Sequence, residues 1–356
     1  MSLETGLLAI IDGRKKAPLL TPVLRACSLL YGSAIALRHA AYHLGISKSY
    51  RAPSFVVSVG NIACGGTGKT PFVRFLAKAL SPASKIAILS RGYRSPSEHV
   101  HAPLLISGKE GPLLSADVCG DEPYLLASSL PGVSVWVGKR RLEAARMASE
   151  QGSEVVILDD GMQYRKLKRD LEIVLLDGSD LLAGGRLLPA GRLRELPRRL
   201  CSADLIVITH ADEKIPPSAY QEKIRRFTEA PLITVRTRSV VDGAPIAGRR
   251  VGLFCALGRP DHFVASIKQS ASEVVAVLTE RDHANFSEES LKNFSEECRK
   301  KGAEALVCTT KDAVKIPAHL ALSLPLAVAD AEIELLQGQE VWQALLDRIQ
   351  QKRRSL

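Results

Sequence analysis

Residues 55–71 read Phe-Val-Val-Ser-Val-Gly-Asn-Ile-Ala-Cys-Gly-Gly-Thr-Gly-Lys-Thr-Pro, an apolar run that leads directly into a glycine-rich loop. A stretch with helical character follows, which gives the order strand, glycine loop, Lys-Thr, helix. In this arrangement the N–H groups of the loop and the N-terminus of the helix bind phosphate oxygens. Lys69 would reach the β- and γ-phosphates of a nucleotide, and the Thr70 hydroxyl would ligate Mg²⁺. The segment predicts a phosphate-binding loop, although Ala63 occupies the first glycine position of the general pattern.

The composition is that of a globular protein with anionic partners. Of 356 residues, 46% are hydrophobic and 24% charged, and the net charge is +10. That charge favours nucleotides, phosphorylated substrates or an acidic membrane surface. The chain has 8 Phe and 2 Trp, and no basic tract is interleaved with aromatic residues, so nucleic acid is not an expected partner. Seven cysteines without a C-x-x-C pair indicate reduced thiols in the cytosol.

Apolar segments that can form strands alternate with segments that can form helices along most of the chain. Continuous Val, Ile and Leu strands in such alternation indicate a parallel sheet covered by helices on both faces. We therefore predict an α/β fold of the P-loop NTPase type, followed by a second, smaller α/β lobe. The predicted strands cover residues 55–59, 85–89, 133–137, 155–158, 173–176, 205–209, 232–235, 250–256, 273–278 and 305–309. The predicted helices cover residues 71–80, 123–129, 139–151, 218–229, 260–270, 287–301 and 339–352.

The N-terminal segment differs from the rest of the chain. Residues 17–46 are largely apolar, but two arginines and two histidines interrupt them too often to predict a spanning helix. A basic, amphipathic helix can lie in a membrane interface, and the pattern equally allows a helix that packs on the domain surface. The predicted units are an N-terminal membrane-associated segment, a phosphate-loop core and a smaller lobe, at residues 1–50, 51–240 and 241–356. The Asp-Gly and Pro residues of 240–248 predict the join between the last two.

Two aspartates end an apolar run in Val155-Val156-Ile157-Leu158-Asp159-Asp160-Gly161. In phosphate-loop enzymes an aspartate at a strand end holds Mg²⁺, directly or through water. Asp159, the nearer to the strand, is therefore the predicted metal ligand, and Asp160 would shape the site or contact substrate. The alternative is an Asp-Gly turn that only caps the next segment.

Two further motifs carry candidate substrate and catalytic groups. Ser90-Arg91-Gly92-Tyr93 follows a predicted strand, and parallel sheets bind ligands at the carboxyl ends of their strands. Arg91 could clamp a phosphate, or the motif is a surface turn. Gly120-Asp121-Glu122-Pro123 opens a predicted helix. Spacing alone favours Asp121 as an N-cap over a base that takes a proton from an attacking hydroxyl.

Charged groups also occur in a loop and in the second lobe. The loop at residues 187–195 contains two arginines that suit an anionic substrate, and Glu195 could support Mg²⁺. A solvated charged loop is the alternative. Asp282-His283 could form a proton-handling unit across a cleft, although a single histidine is usually structural or exposed.

Together and in this order, these motifs resemble those of the tetraacyldisaccharide 4′-kinases, the lipid A 4′-kinases of Gram-negative bacteria. The similarity spans about residues 10–320, and the combination is more specific than any one motif. That family is not strict at the first glycine position, which accounts for Ala63. The matching segments are Val59-Gly60-Asn61, Gly65-Gly66-Thr67-Gly68-Lys69-Thr70-Pro71, Ser90-Arg91-Gly92-Tyr93, Gly120-Asp121-Glu122-Pro123, Asp159-Asp160-Gly161, Leu188-Pro189-Ala190-Gly191, Leu193-Arg194-Glu195, Asp282-His283 and Thr310-Lys311-Asp312-Ala313-Val314-Lys315.

The resemblance implies ATP-dependent transfer of the γ-phosphoryl group to the 4′-hydroxyl of an acylated glucosamine disaccharide phosphate. ATP and Mg²⁺ are the implied cofactors. The implied partners are the lipid substrate and the cytoplasmic face of the bacterial inner membrane, with no obligate protein partner. The resemblance also favours the membrane-contacting interpretation of the N-terminal helix.

The resemblance assigns roles to individual residues of this chain. The implied catalytic residues are Asp121, His283 and Lys69. The implied nucleotide-binding residues are Gly65, Gly66, Thr67, Gly68, Lys69 and Thr70. The implied metal ligands are Thr70, Asp159 and Glu195. The implied substrate-binding residues are Asn61, Arg91, Tyr93, Arg141, Asp160, Gln163 and Arg194.

The chain departs from the family pattern at several positions. Met162 and Tyr164 replace Phe and His after the double aspartate, Leu196 precedes Pro197, and Ala284 replaces a second His. These substitutions affect local substrate contacts and leave the phosphate loop unchanged.

Two other functions are compatible with the phosphate loop. One is a nucleotide switch, a GTPase or partition-type ATPase that acts through partner binding. Thr310-Lys311-Asp312 and Thr209-His210-Ala211-Asp212 match a guanine-binding N/T-K-x-D motif poorly, which argues against the GTPase. The other is a kinase of a soluble sugar or nucleoside, against which the apolar, basic N-terminus argues.

Overall fold

The computed structural model describes residues 11, 17–93, 95–108, 111–258, 260–280, 284–317 and 319–353. In chain order the strands are β1 (Phe55–Asn61), β2 (Ile86–Ser90), β3 (Leu104–Leu105), β4 (Ser107–Gly108), β5 (Gly111–Pro112), β6 (Ser134–Val137), β7 (Val155–Asp159), β8 (Leu171–Asp177), β9 (Leu205–Thr209), β10 (Leu232–Gly243), β11 (Arg250–Cys255), β12 (Glu273–Thr279), β13 (Ala305–Thr309) and β14 (Leu326–Gln337). The helices are α1 (Leu20–His43), α2 (Lys69–Leu80), α3 (Ala116–Cys119), α4 (Asp121–Ser129), α5 (Arg141–Glu150), α6 (Pro217–Ile224), α7 (Pro260–Lys268), α8 (Glu288–Lys300), α9 (Thr310–Ala313) and α10 (Gln339–Arg353).

Across the described residues, one sheet of twelve strands has the spatial order β3-β6-β2-β7-β1-β8-β9-β10-β14-β13-β11-β12, and β4 and β5 form a separate hairpin. Neighbouring strands are parallel except β3 against β6 and β10 against β14. Strands β1, β2, β7, β8 and β9 are buried along their whole length. Such burial is typical of a parallel sheet with helices on both faces. The predicted α/β architecture is confirmed.

Strands β10 and β14 join the two parts of the sheet as a long antiparallel ribbon. β10 pairs with β9 as far as Thr234 and continues along β14 to Gly243. The predicted strand at 232–235 is therefore too short, and the predicted join at 240–248 begins inside a strand. Strand β14 is not predicted from the sequence. Beyond Val235, β10 has partly and fully exposed residues and no continuous apolar run that would indicate a strand. Its partner strand β14 lies far away in sequence.

The ribbon also determines how the two parts of the molecule face each other. β13 pairs in parallel with residues 326–329 of β14, at the end of the ribbon that is distant from β9. Because β14 runs back towards β9, β13 and its parallel neighbour β11 point their carboxyl ends at the carboxyl edge of β1, β7 and β2. The two edges meet across a cleft, the place where parallel sheets bind ligands. The division of the chain at residues 50 and 240 stays a prediction.

Aromatic packing fixes the helix that follows the glycine loop. Phe72 of α2 packs edge to face against Trp342 of α10, with ring centroids 6.0 Å apart, and Phe75 stacks on the same indole at 4.9 Å. Such pairs contribute roughly 0.5–1.5 kcal/mol each beyond their buried area. The C-terminal helix therefore holds α2 against the sheet, together with the glycine loop that precedes α2.

Helix α1 confirms the predicted N-terminal helix and lies along the loop at 187–195. The Ser28 hydroxyl donates to the Leu187 carbonyl (2.9 Å) and accepts from the Ala190 N–H (3.0 Å). The helix is long and apolar enough to cross a membrane, judged by length and composition, and 11% of its most apolar window is buried. Large exposed apolar side chains of this region are Leu19, Leu20, Val23, Leu29, Leu30, Leu37, Leu44 and Ile46.

Candidate active site

The predicted glycine loop connects β1 to α2. It turns through Gly65 and Gly68, whose φ angles of 114° and 70° lie in the left-handed region that favours glycine. A β-carbon built on Gly65 or Gly66 would meet nothing within 4 Å, so the space beside the loop is open. Lys69 is the first residue of α2, and Thr70 follows it. The loop, the helix N-terminus and the lysine therefore have the arrangement that binds phosphate.

Arg194 connects the phosphate loop to the turn after β7. Its guanidinium donates to both carboxylate oxygens of Asp160, at 3.0 and 2.7 Å, and to the Asn61 side-chain oxygen. The Asn61 amide in turn donates to the Thr67 hydroxyl at 2.7 Å. The Lys69 Nζ lies 3.6 Å from Asp160 Oδ1. Burial opposes ionisation of Asp160, but the hydrogen bonds from Arg194 and the charges of Lys69 and Arg194 hold its pKa well below the usual value.

Asp159 has the surroundings that a metal ligand needs. It is the last residue of β7, and its side chain is 5% exposed. Its Oδ2 accepts a hydrogen bond of 3.3 Å from Ser90, and its Oδ1 has no partner among the described residues. Burial, together with the charges of Glu122 and Asp160, raises the pKa of Asp159 to about 7. A buried carboxylate oxygen without a partner is costly, and a divalent cation would satisfy it, so this residue fits Mg²⁺.

Arg141 supports the double aspartate from behind. Its side chain is 7% exposed and donates to the carbonyl oxygens of Asp159 (2.9 Å) and Asp160 (3.1 Å). The guanidinium also lies over the Tyr164 ring, 4.4 Å from the centroid. The Tyr164 hydroxyl accepts from the Leu142 N–H at the start of α5 (3.1 Å). The guanidinium is therefore buried and engaged with the backbone, and the contact of Arg141 with a substrate phosphate stays a prediction.

Asp121 lies at the cleft between the two sheet parts. It is the first residue of α4, and Gly120 is the N-cap residue, without a side-chain cap. The N-cap interpretation that spacing favours is therefore wrong, since Asp121 lies inside the first turn. The Nζ of Lys315, from the second part of the chain, is 2.8 Å from Asp121 Oδ2. The predicted partner His283, and Asp282 before it, lie outside the described residues.

Three predicted substrate residues surround this edge of the sheet. Arg91 and Tyr93 follow β2, and Arg91 is half exposed while its Nε donates to Glu98 at 3.0 Å. Tyr93 is largely exposed. The Gln163 side-chain amide donates to the Asn61 backbone carbonyl at 3.1 Å, and the Gln163 backbone carbonyl accepts from Arg38 of α1. Their positions are those expected for substrate contacts, and the contacts themselves stay predictions.

Glu195 faces the N-terminal helix. Its side chain is 3% exposed, and its Oε2 is 3.1 Å from Nε2 of His39 on α1. Burial raises the pKa of Glu195, opposed by Arg199, Arg38 and nearby arginines. Burial and the same cluster of arginines lower the pKa of His39 to about 4. Like Oδ1 of Asp159, Oε2 of Glu195 is buried and has no hydrogen-bond partner among the described residues, and the metal role of Glu195 stays a prediction.

A family model described as tetraacyldisaccharide-1-P 4′-kinase matches residues 20–350. The chain belongs to the tetraacyldisaccharide 4′-kinase family. The resemblance inferred from the motifs is thereby confirmed.

Individual members of the tetraacyldisaccharide 4′-kinase family are similar over most of the chain. The tetraacyldisaccharide 4′-kinase of Chlamydia pneumoniae is 38% identical over 317 residues, covering 86% of this chain and 84% of that protein. The enzyme of Geobacter sulfurreducens is 36% identical over 341 residues, covering 94% of each. A solved structure from Aquifex aeolicus, described as the apo form of LpxK in complex with ATP, superposes with a TM-score of 0.74 at 31% identity. That superposition covers 93% of this chain and 99% of the other.

Two contacts near the site of this tetraacyldisaccharide 4′-kinase family member are not predicted from the sequence. Tyr164, noted only as a departure from the family pattern, stacks on Arg141 and accepts from the start of α5. Lys315 is the last residue of the family segment Thr310-Lys311-Asp312-Ala313-Val314-Lys315, and its contact with Asp121 is not indicated by that segment. The only local signal for either is the presence of an aromatic or basic residue within a family motif.

Proposed function

We propose that this chain transfers the γ-phosphoryl group of ATP to the 4′-hydroxyl of an acylated glucosamine disaccharide 1-phosphate, a step of lipid A synthesis. Membership of the tetraacyldisaccharide 4′-kinase family supports the reaction. The observation that carries the proposal at the site is the intact Gly-Gly-Thr-Gly-Lys-Thr loop at the same sheet edge as Asp159, whose buried oxygen has no partner among the described residues.

The nucleotide is held by the glycine loop. The N–H groups of residues 65–70 and the N-terminus of α2 bind phosphate oxygens, and Lys69 neutralises charge on the β- and γ-phosphates. Thr70, Asp159 and Glu195 would hold Mg²⁺. The ion, when bound, neutralises the charge that develops on the phosphate oxygens. Catalysis of this kind is mainly positioning and charge stabilisation.

Asp121 is the proposed base. The sugar oxygen forms a bond to the γ-phosphorus while the bond from that phosphorus to the bridging oxygen of ADP breaks. The hydroxyl proton passes to the Asp121 carboxylate, and ADP leaves. His283 is proposed to assist this proton transfer.

The acceptor is proposed to bind beside the phosphate loop. The proposed substrate-binding groups are Asn61, Arg91, Tyr93, Arg141, Asp160, Gln163 and Arg194. The hydrogen bonds that join Asn61, Asp160 and Arg194 support a role in fixing the acceptor relative to the loop. A preorganised polar network of this kind costs little reorganisation when the reaction occurs.

The lipid is proposed to be taken from the cytoplasmic face of the bacterial inner membrane, on which the protein acts as a peripheral enzyme. Helix α1 exposes a row of large apolar side chains, and the chain carries a net charge of +10. Apolar burial in the interface and attraction to anionic lipid act together in such binding. No nucleic acid and no obligate protein partner are part of the proposal.

Incubation with γ-labelled ATP and tetraacyldisaccharide 1-phosphate in mixed micelles tests the proposal. Label in the chloroform-soluble fraction supports the lipid kinase. Label released only as inorganic phosphate would identify a nucleotide switch, and label transferred to a soluble glucosamine acceptor supplied in a parallel reaction would identify a soluble-sugar kinase.

Replacement of Asp121 by Ala tests the base. We expect kcat to fall by roughly 10²- to 10⁴-fold while the Kd for ATP stays unchanged, because the carboxylate acts on the acceptor. Asp117→Ala, an exposed carboxylate on the neighbouring α3, is the matched control and should retain turnover. An Asp121→Ala variant with normal kcat would remove Asp121 from the reaction.

A further inference from the structure

An ion pair crosses the cleft and ends on the proposed base. The Nζ of Lys315 lies 2.8 Å from Asp121 Oδ2, and the two side chains are 10% and 15% exposed. The same ammonium donates to the Ala284 carbonyl at 3.2 Å. Lys315 therefore lies between the second sheet part and the first turn of α4.

The position of Lys315 is set by a buried aspartate. Asp312 is 1% exposed, and its Oδ2 accepts from the Thr309 hydroxyl at 2.6 Å while its Oδ1 accepts from the Ala256 N–H at 3.1 Å. The Lys315 N–H donates to the Asp312 carbonyl at 3.0 Å. The turn that carries Lys315 is thus fixed to the ends of both β13 and β11.

A second connection holds the same turn against the phosphate-loop helix. The Thr310 hydroxyl lies 3.2 Å from Asp330 Oδ1, and Arg74 of α2 binds that carboxylate at 2.8 and 2.7 Å. Arg74 is itself buried. Helix α2, which begins at Lys69, and the turn of Lys315 are therefore connected through one aspartate of β14.

We propose that Lys315 is a positioning residue, which reaches across the cleft to hold the Asp121 carboxylate in the charged form and orientation that accept the hydroxyl proton. The proposal rests on the proposed kinase function and adds a residue of the second lobe to it. Through Lys315, the base is placed relative to the helix that binds ATP.

The two described ion pairs across the cleft distinguish Lys315 from Lys311. Glu122 adds a like charge and is paired with Lys311 at the longer distance of 3.9 Å. The Cys119 thiol, two residues before Asp121, is buried. Its burial and, to a smaller extent, the charge of Asp121 raise the pKa of this thiol. Removing one partner of a mostly buried ion pair leaves the other uncompensated. Lys315 thus provides the close positive charge that favours the carboxylate, while Lys311 faces its neighbour.

The test compares Lys315→Met with Lys315→Arg, Lys311→Met and the double variant Asp121→Asn/Lys315→Met. We expect Lys315→Met to lower kcat roughly 10- to 100-fold, below the full effect of a general base, with KM for both substrates changed less than about threefold. Lys315→Arg keeps the charge and should recover most of the turnover. Lys311→Met removes the adjacent cross-cleft pair and should lose much less. The double variant should be no slower than Asp121→Asn, because residues that act as a unit are not additive.

Three results would overturn the proposal. They are a Lys315→Met variant with kcat near wild type, an equal loss in Lys311→Met, and losses of Asp121→Asn and Lys315→Met that multiply. Thermal unfolding shows whether Lys315→Met folds. If it does not, Lys315→Arg tests the need for a positive charge, and a loss of kcat in Lys315→Arg as large as that in Asp121→Asn would contradict the proposal. Absence of lipid phosphorylation by the wild-type protein would instead overturn the proposed function itself.

Discussion

Asp159 and Asp312 occupy corresponding places in the two parts of the molecule, but their carboxylates have opposite surroundings. Each lies at or just beyond the end of a buried parallel strand, β7 or β13. Both Asp312 oxygens accept hydrogen bonds, from Thr309 and from the Ala256 N–H. Asp159 has one long hydrogen bond from Ser90, and its second oxygen has no partner among the described residues.

The difference separates a structural carboxylate from one that is kept for a ligand. Burial raises the pKa of both carboxyl groups. Hydrogen bonds from Thr309 and Ala256 oppose part of this rise for Asp312, whereas the charges of Glu122 and Asp160 add to it for Asp159. A buried polar group without a partner costs stability. In the first part of the sheet, the oxygen of Asp159 without a partner lowers stability at the proposed metal site. In the second part, the carboxylate of Asp312 at the corresponding place holds the turn after β13 through its hydrogen bonds.

The largest expected effect is on turnover in Asp159→Asn. The substitution keeps the shape of the side chain but removes the charge proposed to bind Mg²⁺. Because such charge stabilisation is worth several kcal/mol, we expect kcat to fall about 10³-fold. Steady-state kinetics at saturating Mg²⁺ measure it, with Asp117→Asn as the control on the exposed surface. Turnover within tenfold of wild type would contradict the assignment of Asp159.

The same variant should be more stable than wild type at alkaline pH. The pKa of Asp159 is raised to about 7 in the folded protein, so its favourable contribution is fully present below its unfolded value of about 3.8 and is lost as pH rises through about 7. Asp159→Asn removes this pH dependence, and the gain at pH 8 is at most about 4 kcal/mol. Thermal unfolding in EDTA at pH 5 and pH 8 measures it. An equal Tm difference at both pH values would argue against a raised pKa.

Local pattern was sufficient for the parts of the site that lie close together in sequence. Apolar runs, glycines and strand ends predict the strand, loop and helix of residues 55–80, the position of Asp159 at a strand end, and the N-terminal helix. The structure contains each of these features. The strand β14 and the second half of β10 did not follow, because each depends on pairing with the other.

Contacts between distant segments were also beyond the sequence. Glu195 follows an arginine in a family motif, which suggests a metal ligand, and the sequence does not show that its Oε2 lies 3.1 Å from Nε2 of His39 on α1. Arg141 is a predicted phosphate-binding group, and the sequence does not show that its guanidinium is buried and donates to the carbonyl oxygens of the double aspartate. In both cases the residue type indicated charge recognition, and only the tertiary structure determines which charge is recognised.

Two glycines extend the comparison to packing. A β-carbon on Gly60 would lie 2.6 Å from Met162 Cβ and 2.8 Å from its backbone N, whereas one on Gly252 would overlap the Cys298 sulfur. We expect both alanine variants to lose roughly 1–3 kcal/mol of stability from overpacking. Gly60→Ala should also lower kcat about tenfold, because Met162 directly follows the double-aspartate turn. Chemical denaturation measures the loss of stability and steady-state kinetics on the same samples measure kcat. A lower kcat in Gly252→Ala with normal kcat in Gly60→Ala would contradict the prediction.

The smallest expected change is Asp312→Asn, which completes the comparison with Asp159→Asn. An asparagine places an N–H₂ group against the Thr309 hydroxyl or the Ala256 N–H, so one of the two hydrogen bonds is weakened or lost. We therefore expect a loss of about 1–2 kcal/mol, opposite in sign to the effect of Asp159→Asn at pH 8. Chemical denaturation at pH 8 measures both variants side by side. If Asp312→Asn were stabilising, the second aspartate would also be a strained group, and the distinction between a carboxylate held for a ligand and one held for structure would fail.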